Sequence, residues 1–194
     1  MMSYICPRCK AVYSVEEYSK DKFCSSCGSF LKKYQELKKR NHIKISIDDD
    51  ANFWLVPVRE ADSIKRLIIE GKIWAYGINT PGRQLIKPRD WTCFHLSEYG
   101  IVAHAEILTH PKKMRHPKVK DPVQYPWVFS LSNISVYLQD PIKVSEKIRR
   151  QLDAFKNDDS ILKENSIKSW GWFVLNNKNI TMHDFNILTN TSVS

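Results

Sequence analysis

Four cysteines near the start of the chain have the residue type and spacing of metal ligands. Cys6 and Cys9 form one Cys-x-x-Cys pair, and Cys24 and Cys27 form a second. Two ligands separated by two residues turn inward on one tight loop, so two such pairs supply four thiolates in a tetrahedron. That is the closed geometry of a structural zinc site, and it leaves no open position for hydrolysis. The sequence therefore predicts a four-cysteine zinc ribbon over residues 1–30.

The expected redox compartment and the size of this segment both favour a metal. No apolar run approaches the roughly 20 residues that cross a bilayer, and the N-terminus MMSYICPRCK has no apolar signal-peptide core. We therefore predict a cytoplasmic protein that does not contact membranes, in which thiols stay reduced. A unit of about 30 residues also needs a metal or disulfides to fold. Rubredoxin-like iron has the same ligand spacing, and free thiols or two disulfides are the remaining alternatives.

The charge of the chain predicts a polyanionic partner. The formal net charge is +9 and the sequence pI is about 9.3, and nucleic acid is the commonest partner of such proteins. The alternative is a solvated basic surface without a partner. The candidate phosphate contacts are Arg83, Lys87, Lys112, Lys113, Arg115 and Lys118, most of them in the proline-rich stretch PKKMRHPKVKDPVQYP.

The elements that must position these residues fall into three segments. The zinc ribbon is followed by a basic helix and linker over residues 31–51, with a weak helical stripe that predicts a helix from about Ser29 to Arg40. Residues 52–190 carry all the tryptophans and the long apolar patterns. There, strands alternate with about three helices, which predicts an α+β domain with one mixed sheet curled into a barrel.

Three stretches of the third segment resemble an EVE domain. FWLVPVREADSIKRLIIEGKIWAYGIN is similar to the family's opening strand, helix and Trp-containing turn. IKPRDWTCFHLSEYGIVAHAEIL resembles its Lys-Pro-Gly-Asp turn and the following strands, with Arg89 and Ala103 where the family has glycine. YPWVFSLSNISVYLQDPIKVSEKI is similar to the next strand and helix. The resemblance covers residues 52–190 and implies a PUA-like mixed β-barrel with flanking helices, related to YTH and ASCH domains.

The resemblance also implies nucleic-acid binding, often with one flipped, sometimes modified, base held in a pocket. Such a pocket needs aromatic faces for stacking and polar groups for the base edge. The candidates are Trp74, Tyr76, Asn79, Thr80, Phe94, Ser97, Trp127 and Trp170. Basic residues interleaved with aromatics are what single-strand binding requires. The alternative for Trp74 and Phe94 is a place in the hydrophobic core.

Catalytic patterns are absent from the sequence. There is no glycine-rich phosphate loop and no Gly-x-Ser-x-Gly, and the carboxylates Asp90 and Glu106 have no lysine placed beside them. We therefore predict a nucleic-acid-binding protein, not an enzyme, with DNA and RNA both open as the ligand. Two alternatives remain: an adaptor that binds a protein partner through the zinc ribbon, and an enzyme that acts on nucleosides.

Overall fold

The computed structural model describes residues 50–155 and 170–191, except the side chain of Trp172, and the backbone of residues 3–5, 12–14, 32–34, 44–45 and 192–193. The chain forms two compact units, Met1–His42 and Ile43–Ser194. The four predicted cysteine ligands lie outside the described residues.

The first unit contains a small antiparallel sheet. Its strands are β1 (Ser3–Ile5), β2 (Val12–Ser14) and β3 (Lys32–Tyr34), and β1 pairs with both of the others. The helix predicted from Ser29 to Arg40 is wrong at Lys32–Tyr34. The apolar stripe there was weak, and the free edge of β1 offers these three residues backbone hydrogen bonds that the sequence pattern does not reveal.

The second unit contains the long strands and all the described helices. Its strands are β4 (Lys44–Ile45), β5 (Phe53–Val58), β6 (Ile73–Tyr76), β7 (Trp91–Leu96), β8 (Gly100–Ile107), β9 (Lys112–Lys113), β10 (Trp127–Val136), β11 (Lys178–Ile180) and β12 (Ser192–Val193). Its helices are α1 (Ala61–Ser63, continued by a wider π-type turn over Ile64–Glu70), α2 (Glu146–Arg149), α3 (Trp170–Phe173) and α4 (Met182–Thr189). Short 3-10 turns cover Arg83–Leu85 and Asp153–Phe155.

One mixed sheet organises this unit. Its strand order is β11–β5–β7–β8–β10–β6, with β9 paired to β10. The β5–β7 pair is parallel and the other pairs of this sheet are antiparallel. The sheet curls into a half-barrel with a few helices around it, which confirms the predicted α+β class and mixed sheet.

The two faces of the central strands are both covered, which explains their unbroken apolar runs. Along β5, Trp54, Val56 and Val58 belong to the core inside the half-barrel, together with residues such as Phe94. Phe53 and Leu55 point the other way and pack with Phe185 of α4 and its neighbours. Because β5 and β7 are buried on both faces, their positions are fixed. The ends of the loops that join these strands are therefore fixed as well.

None of the helices within residues 50–155 and 170–191 has the length and apolar character needed to cross a membrane.

Candidate nucleic-acid interface

The register of the sheet places the ends of several strands at the same end of the sheet. Trp91 at the start of β7 pairs with Phe53 on one side and Glu106 on the other, and Trp127 at the start of β10 pairs with Tyr76 at the end of β6. We call this the loop end. The loops over residues 77–90 and 108–126 both emerge there. Between them they carry all six predicted phosphate contacts: Arg83, Lys87, Lys112, Lys113, Arg115 and Lys118.

Trp127 is an aromatic residue of the loop end that lies among these cations. It is half-buried, and it pairs with Tyr76 on β6 and with Lys113 on β9. Paired residues project their side chains to the same face of a sheet, so Lys113 lies beside Trp127. The Arg83 guanidinium lies over the indole, 5.1 Å from the ring centroid, and its Nη1 donates to the Thr80 carbonyl at 3.4 Å. The site is thus an aromatic ring with one cation over it and another beside it.

Trp74, Tyr76 and Phe94 line the core behind this surface. Their relative exposures are 6%, 4% and 0%. The rings of Trp74 and Phe94 pack with centroids 4.8 Å apart, and Tyr76 packs against Phe129 at 5.1 Å. The Tyr76 hydroxyl donates to Asn177 Oδ1 at 3.0 Å, and burial raises the pKa of Tyr76 well above its usual value. Tyr76 is therefore a neutral hydrogen-bond donor at the inner wall of the loop end.

Asn79 and Thr80 lie in the turn that follows β6. Asn79 is exposed and Thr80 is half-buried. The turn closes through the Thr80 amide, which donates to the Gly77 carbonyl at 3.2 Å, and the Ile78 amide donates to the Gln124 carbonyl at 3.3 Å. The second bond joins the two loops. Both predicted polar residues therefore lie on the same end of the sheet as Trp127.

Ser97 and Trp170 lie elsewhere. Ser97 is exposed and follows the last residue of β7, at the opposite end of the strand, about 20 Å from its start at the usual rise per residue. The Trp170 indole donates to His95 Nε2 at 3.3 Å and stacks on Phe173, in the core on the other face of the sheet. Burial lowers the pKa of His95 to about 4, so the ring accepts this bond in its neutral form. The structure does not bring these two residues together with Trp127.

Asp90 fixes the end of the 77–90 loop, and the sequence analysis missed that role. The side chain is fully buried. Its Oδ1 accepts from the Asn52 backbone amide at 2.9 Å and from Asn52 Nδ2 at 3.2 Å. Its Oδ2 accepts from Trp54 Nε1 at 2.9 Å and from the Lys87 amide at 3.1 Å. An aspartate before a strand usually lies in a solvated turn, so no local signal reveals a carboxylate with four donors.

Asn177 and Gly82 fix the middle of the same loop. Asn177 Nδ2 donates to the Pro81 carbonyl at 3.3 Å while its Oδ1 accepts from Tyr76. Gly82 has φ of 72°, and a Cβ there would lie 3.2 Å from the Trp54 ring. Any other residue here would therefore have a strained backbone, and its Cβ would lie against the Trp54 ring. The loop that carries Arg83 is held from both sides.

The 108–126 loop is anchored to the core and to α1. Val119 is buried in the half-barrel core. On either side of it, Lys118 Nζ lies 2.7 Å from Glu70 and Lys120 Nζ lies 2.9 Å from Asp62. The Arg66 guanidinium also donates to the Lys118 carbonyl. One predicted phosphate contact, Lys118, is therefore already paired with a carboxylate.

The other predicted phosphate contacts differ in their partners. Lys87 Nζ lies 2.6 Å from Asp50. Lys112, Lys113 and Arg115 are exposed, and none of them forms an ion pair with a side chain in the described part of the chain. These three cations, with Arg83, make up the open positive surface of the loop end.

A second polar cluster lies on the other face of the sheet. Ligand atoms of Asp153, His183 and Asp184 all lie within 4.8 Å of one another. Asp184 Oδ1 accepts from the Asp153 amide at 2.5 Å, and Asp153 Oδ2 accepts from Thr181 Oγ1 at 2.8 Å. Burial raises the pKa of Asp184. These bonds join the start of α4 to the preceding 3-10 turn.

Comparison with known proteins gives matches among solved structures alone. No family model matches the chain, and no curated protein matches it. The YTH domain of the Zygosaccharomyces rouxii MRB1 protein, solved in complex with N6-methyladenosine RNA, is 16% identical, with a TM-score of 0.52 over 75% of this chain and 87% of that one.

Two further structures are less similar. The Mmi1 YTH domain in complex with RNA is 8% identical, with a TM-score of 0.45 over 76% of this chain and 90% of that one. A hypothetical protein from Leishmania major is 9% identical, with a TM-score of 0.44 over 73% of this chain and 94% of that one. At these identities a structural similarity is evidence of the fold alone. That evidence comes from the MRB1 YTH domain, whose TM-score is 0.52. The larger unit of this chain therefore has the YTH-like, PUA-like α+β fold.

Proposed function

We propose that the loop end binds single-stranded nucleic acid and holds one base against the stacked side chains of Arg83 and Trp127. The observation that carries this proposal is the Arg83 guanidinium 5.1 Å over the half-buried Trp127 ring, with Lys113 paired beside the same residue. Stacking on an aromatic ring contributes about 1–3 kcal/mol per base, and an adjacent guanidinium adds a cation–π contribution. Side chains that offer a π face and two cations on one surface suit a nucleotide better than a protein side chain.

The chemistry of the loop end divides into stacking, edge reading and backbone contact. The base would stack on the layer formed by Arg83 and Trp127. Asn79 and Thr80, on the adjoining turn, would offer amide and hydroxyl groups to its edge. Phosphates would meet the exposed cations Lys112, Lys113 and Arg115, which lie on the other loop of the same end.

RNA with a modified base is the ligand class to test first. The YTH domain of the MRB1 protein, which shares the fold, was solved in complex with N6-methyladenosine RNA. The open cations and the aromatic ring do not by themselves select RNA over DNA. Selection of a modification would depend on how the added group fits between Trp127 and the polar turn.

The test is a titration of fluorescent single-stranded oligonucleotides with the full chain at several salt concentrations, followed by anisotropy. RNA with and without N6-methyladenosine is compared with DNA of the same sequence. Trp127→Ala should lower affinity about 10-fold or more with little change in the salt slope. The double variant Lys112→Gln, Lys113→Gln should flatten the slope of log K against log salt by up to about 1.4.

A matched control uses two lysines far from the loop end. Lys143 and Lys147 are exposed and follow Ile142, which bonds to Ile101 near the opposite end of the sheet. Replacing both with Gln removes the same charge and should leave affinity within about two-fold. Equal losses for the two double variants, or no salt-dependent binding by the wild-type chain, would refute the proposal.

We also infer that the first unit holds one structural zinc ion. β1 ends at Ile5 and β2 begins at Val12, so Cys6 and Cys9 lie in the sequence that joins two antiparallel strands. Cys24 and Cys27 precede β3, the third strand of the same sheet. Four thiolates suit zinc, and its contribution would be stability, because a unit of about 40 residues has little apolar area to bury.

A further inference from the structure

Two carboxylates of α1 form ion pairs with two lysines of the 108–126 loop. Glu70 pairs with Lys118 at 2.7 Å and Asp62 pairs with Lys120 at 2.9 Å. The two lysines come from the 108–126 loop, more than 40 residues away in sequence, and flank the buried Val119. The same loop carries the open cations Lys112, Lys113 and Arg115. One continuous basic segment is therefore divided into an open half and a half that α1 neutralises.

These pairs are exposed enough to exchange partners. The side chains of Lys118 and Glu70 are 40% and 41% exposed, and those of Lys120 and Asp62 are 64% and 52% exposed. Hydrogen bonds and charge from Lys118 and Lys120 hold the pKa values of Glu70 and Asp62 below their usual range, so both carboxylates are ionised at neutral pH. Exposed pairs of this kind contribute little to stability. The loop is instead anchored by Val119 and by the bond from Arg66 to the Lys118 carbonyl, which do not depend on the two lysine ammonium groups.

We propose that Asp62 and Glu70 compete with nucleic-acid phosphates for Lys118 and Lys120, and so set the affinity of the loop end from within the chain. The inference rests on the proposed function. A phosphate that approaches the loop meets ammonium groups that already have a counter-charge, so its contact gains less than it would at Lys113. Affinity at low salt is then lower than the number of basic residues in the loop implies, and the salt slope reports only the cations that lack a carboxylate partner.

The test is the double variant Asp62→Asn, Glu70→Gln in the full chain, titrated with a single-stranded RNA oligonucleotide from about 50 to 400 mM salt. Freeing two lysines should steepen the slope of log K against log salt by up to about 1.4 and raise affinity about five-fold per lysine near 0.1 M salt. Arg66, which also lies 3.5 Å from Asp62, stays bound to the Lys118 carbonyl and is not counted among the freed cations. The thermal midpoint should stay within about 2 °C of the wild type.

A charge-matched control separates competition from net charge. Glu60 and Glu98 are exposed and neither pairs with a lysine of the loop among the described residues. The double variant Glu60→Gln, Glu98→Gln removes the same two negative charges and should change affinity less than two-fold. An equal gain in both double variants would overturn the inference, because the effect would then come from total charge.

A second arm tests the specific pair. In a chain with Lys118→Gln, the further change Glu70→Gln should have no effect on affinity, since the lysine it would free is gone. An undiminished effect would overturn the competition between Glu70 and phosphate. The wild-type chain reports on the proposed function separately. Salt-dependent binding by the wild type with no response to Asp62→Asn, Glu70→Gln rejects this inference alone, whereas absence of binding rejects both.

Discussion

Asp90 offers the sharpest test of how the candidate site is held in place. The buried carboxylate accepts two hydrogen bonds at Oδ1 from Asn52 and two at Oδ2, from Trp54 Nε1 and the Lys87 amide. In Asp90→Asn the amide oxygen can still serve Asn52. The new NH2 group then faces two N–H donors, which lose their acceptor. A buried donor without a partner costs about 1–3 kcal/mol, so the variant should lose about 3 kcal/mol of unfolding free energy.

The size of this loss distinguishes the hydrogen bonds from simple packing. Asp90→Ala leaves all four donors without an acceptor and should cost about 1–2 kcal/mol more than Asp90→Asn. Both values are a large fraction of the 5–15 kcal/mol that stabilises a typical domain. Urea unfolding followed by tryptophan fluorescence measures the difference, with the exposed Glu60→Gln as a control that should stay within about 0.5 kcal/mol.

The same variant should also loosen the loop that carries Arg83. In Asp90→Asn the indole proton of Trp54 and the amide proton of Lys87 should exchange with solvent faster, because both lose their acceptor. An Asp90→Asn chain as stable as the wild type within about 0.5 kcal/mol, with unchanged exchange at Trp54 and Lys87, would refute the assignment of Asp90 as the anchor of this loop.

Three further predictions concern the fold, the first unit and pH. Burial lowers the pKa of both His95 and His104 to about 4, below the usual value near 6.5, so the unfolded chain binds protons first as pH falls. The contribution of the two neutral histidines to the unfolding free energy should be fully present above about pH 6.5 and decline as pH falls toward 4, by about 2 kcal/mol per histidine at pH 5. Urea unfolding at pH 7 and pH 5 measures this decline, which should be about 2 kcal/mol smaller in His104→Gln. Arg89 has φ of 73°, so Arg89→Gly should be about 1 kcal/mol more stable than Arg89→Ala, which lacks the same side chain but keeps the strain; equal unfolding free energies would contradict this. Metal analysis should find one zinc per chain, and a chelator or Cys9→Ser should unfold the first unit while the second stays folded, as separate amide-exchange signals would show; an unchanged first unit after zinc removal would contradict it.

The sheet could be predicted from the sequence because its central strands carry their own signal. β5 and β7 read as short apolar runs rich in aromatic and branched residues, and both are buried on two faces. The resemblance to an EVE domain sets Arg89 at a glycine position. In the structure it adopts a left-handed conformation, which glycine favours. The helix over Ser29–Arg40 failed at Lys32–Tyr34 because a weak local stripe competes poorly with a free strand edge.

The site was harder to predict because it depends on register and on distant partners. Ser97 and Phe94 lie close to Trp91 in sequence, yet a strand carries each residue about 3.3 Å further from the loop end. Lys118 and Lys113 look alike in the sequence. Only the fold shows that Glu70 neutralises the first and that the second lies beside Trp127. Alternation and composition do not contain that information.

The distribution of fixed and open groups at the loop end bears on how tightly it would bind. Asp90 and Asn177 hold the loop that carries Arg83, and Val119 holds the loop that carries Lys113. Binding therefore does not have to order either backbone. The conformational entropy that a mobile loop would lose on binding has already been lost on folding. The remaining loss falls on a few long side chains, of which Arg83 is already restrained by its contact with Trp127. Weakening that contact by Trp127→Phe should then reduce affinity more through faster dissociation than through slower association, since the charges that steer the ligand are unchanged.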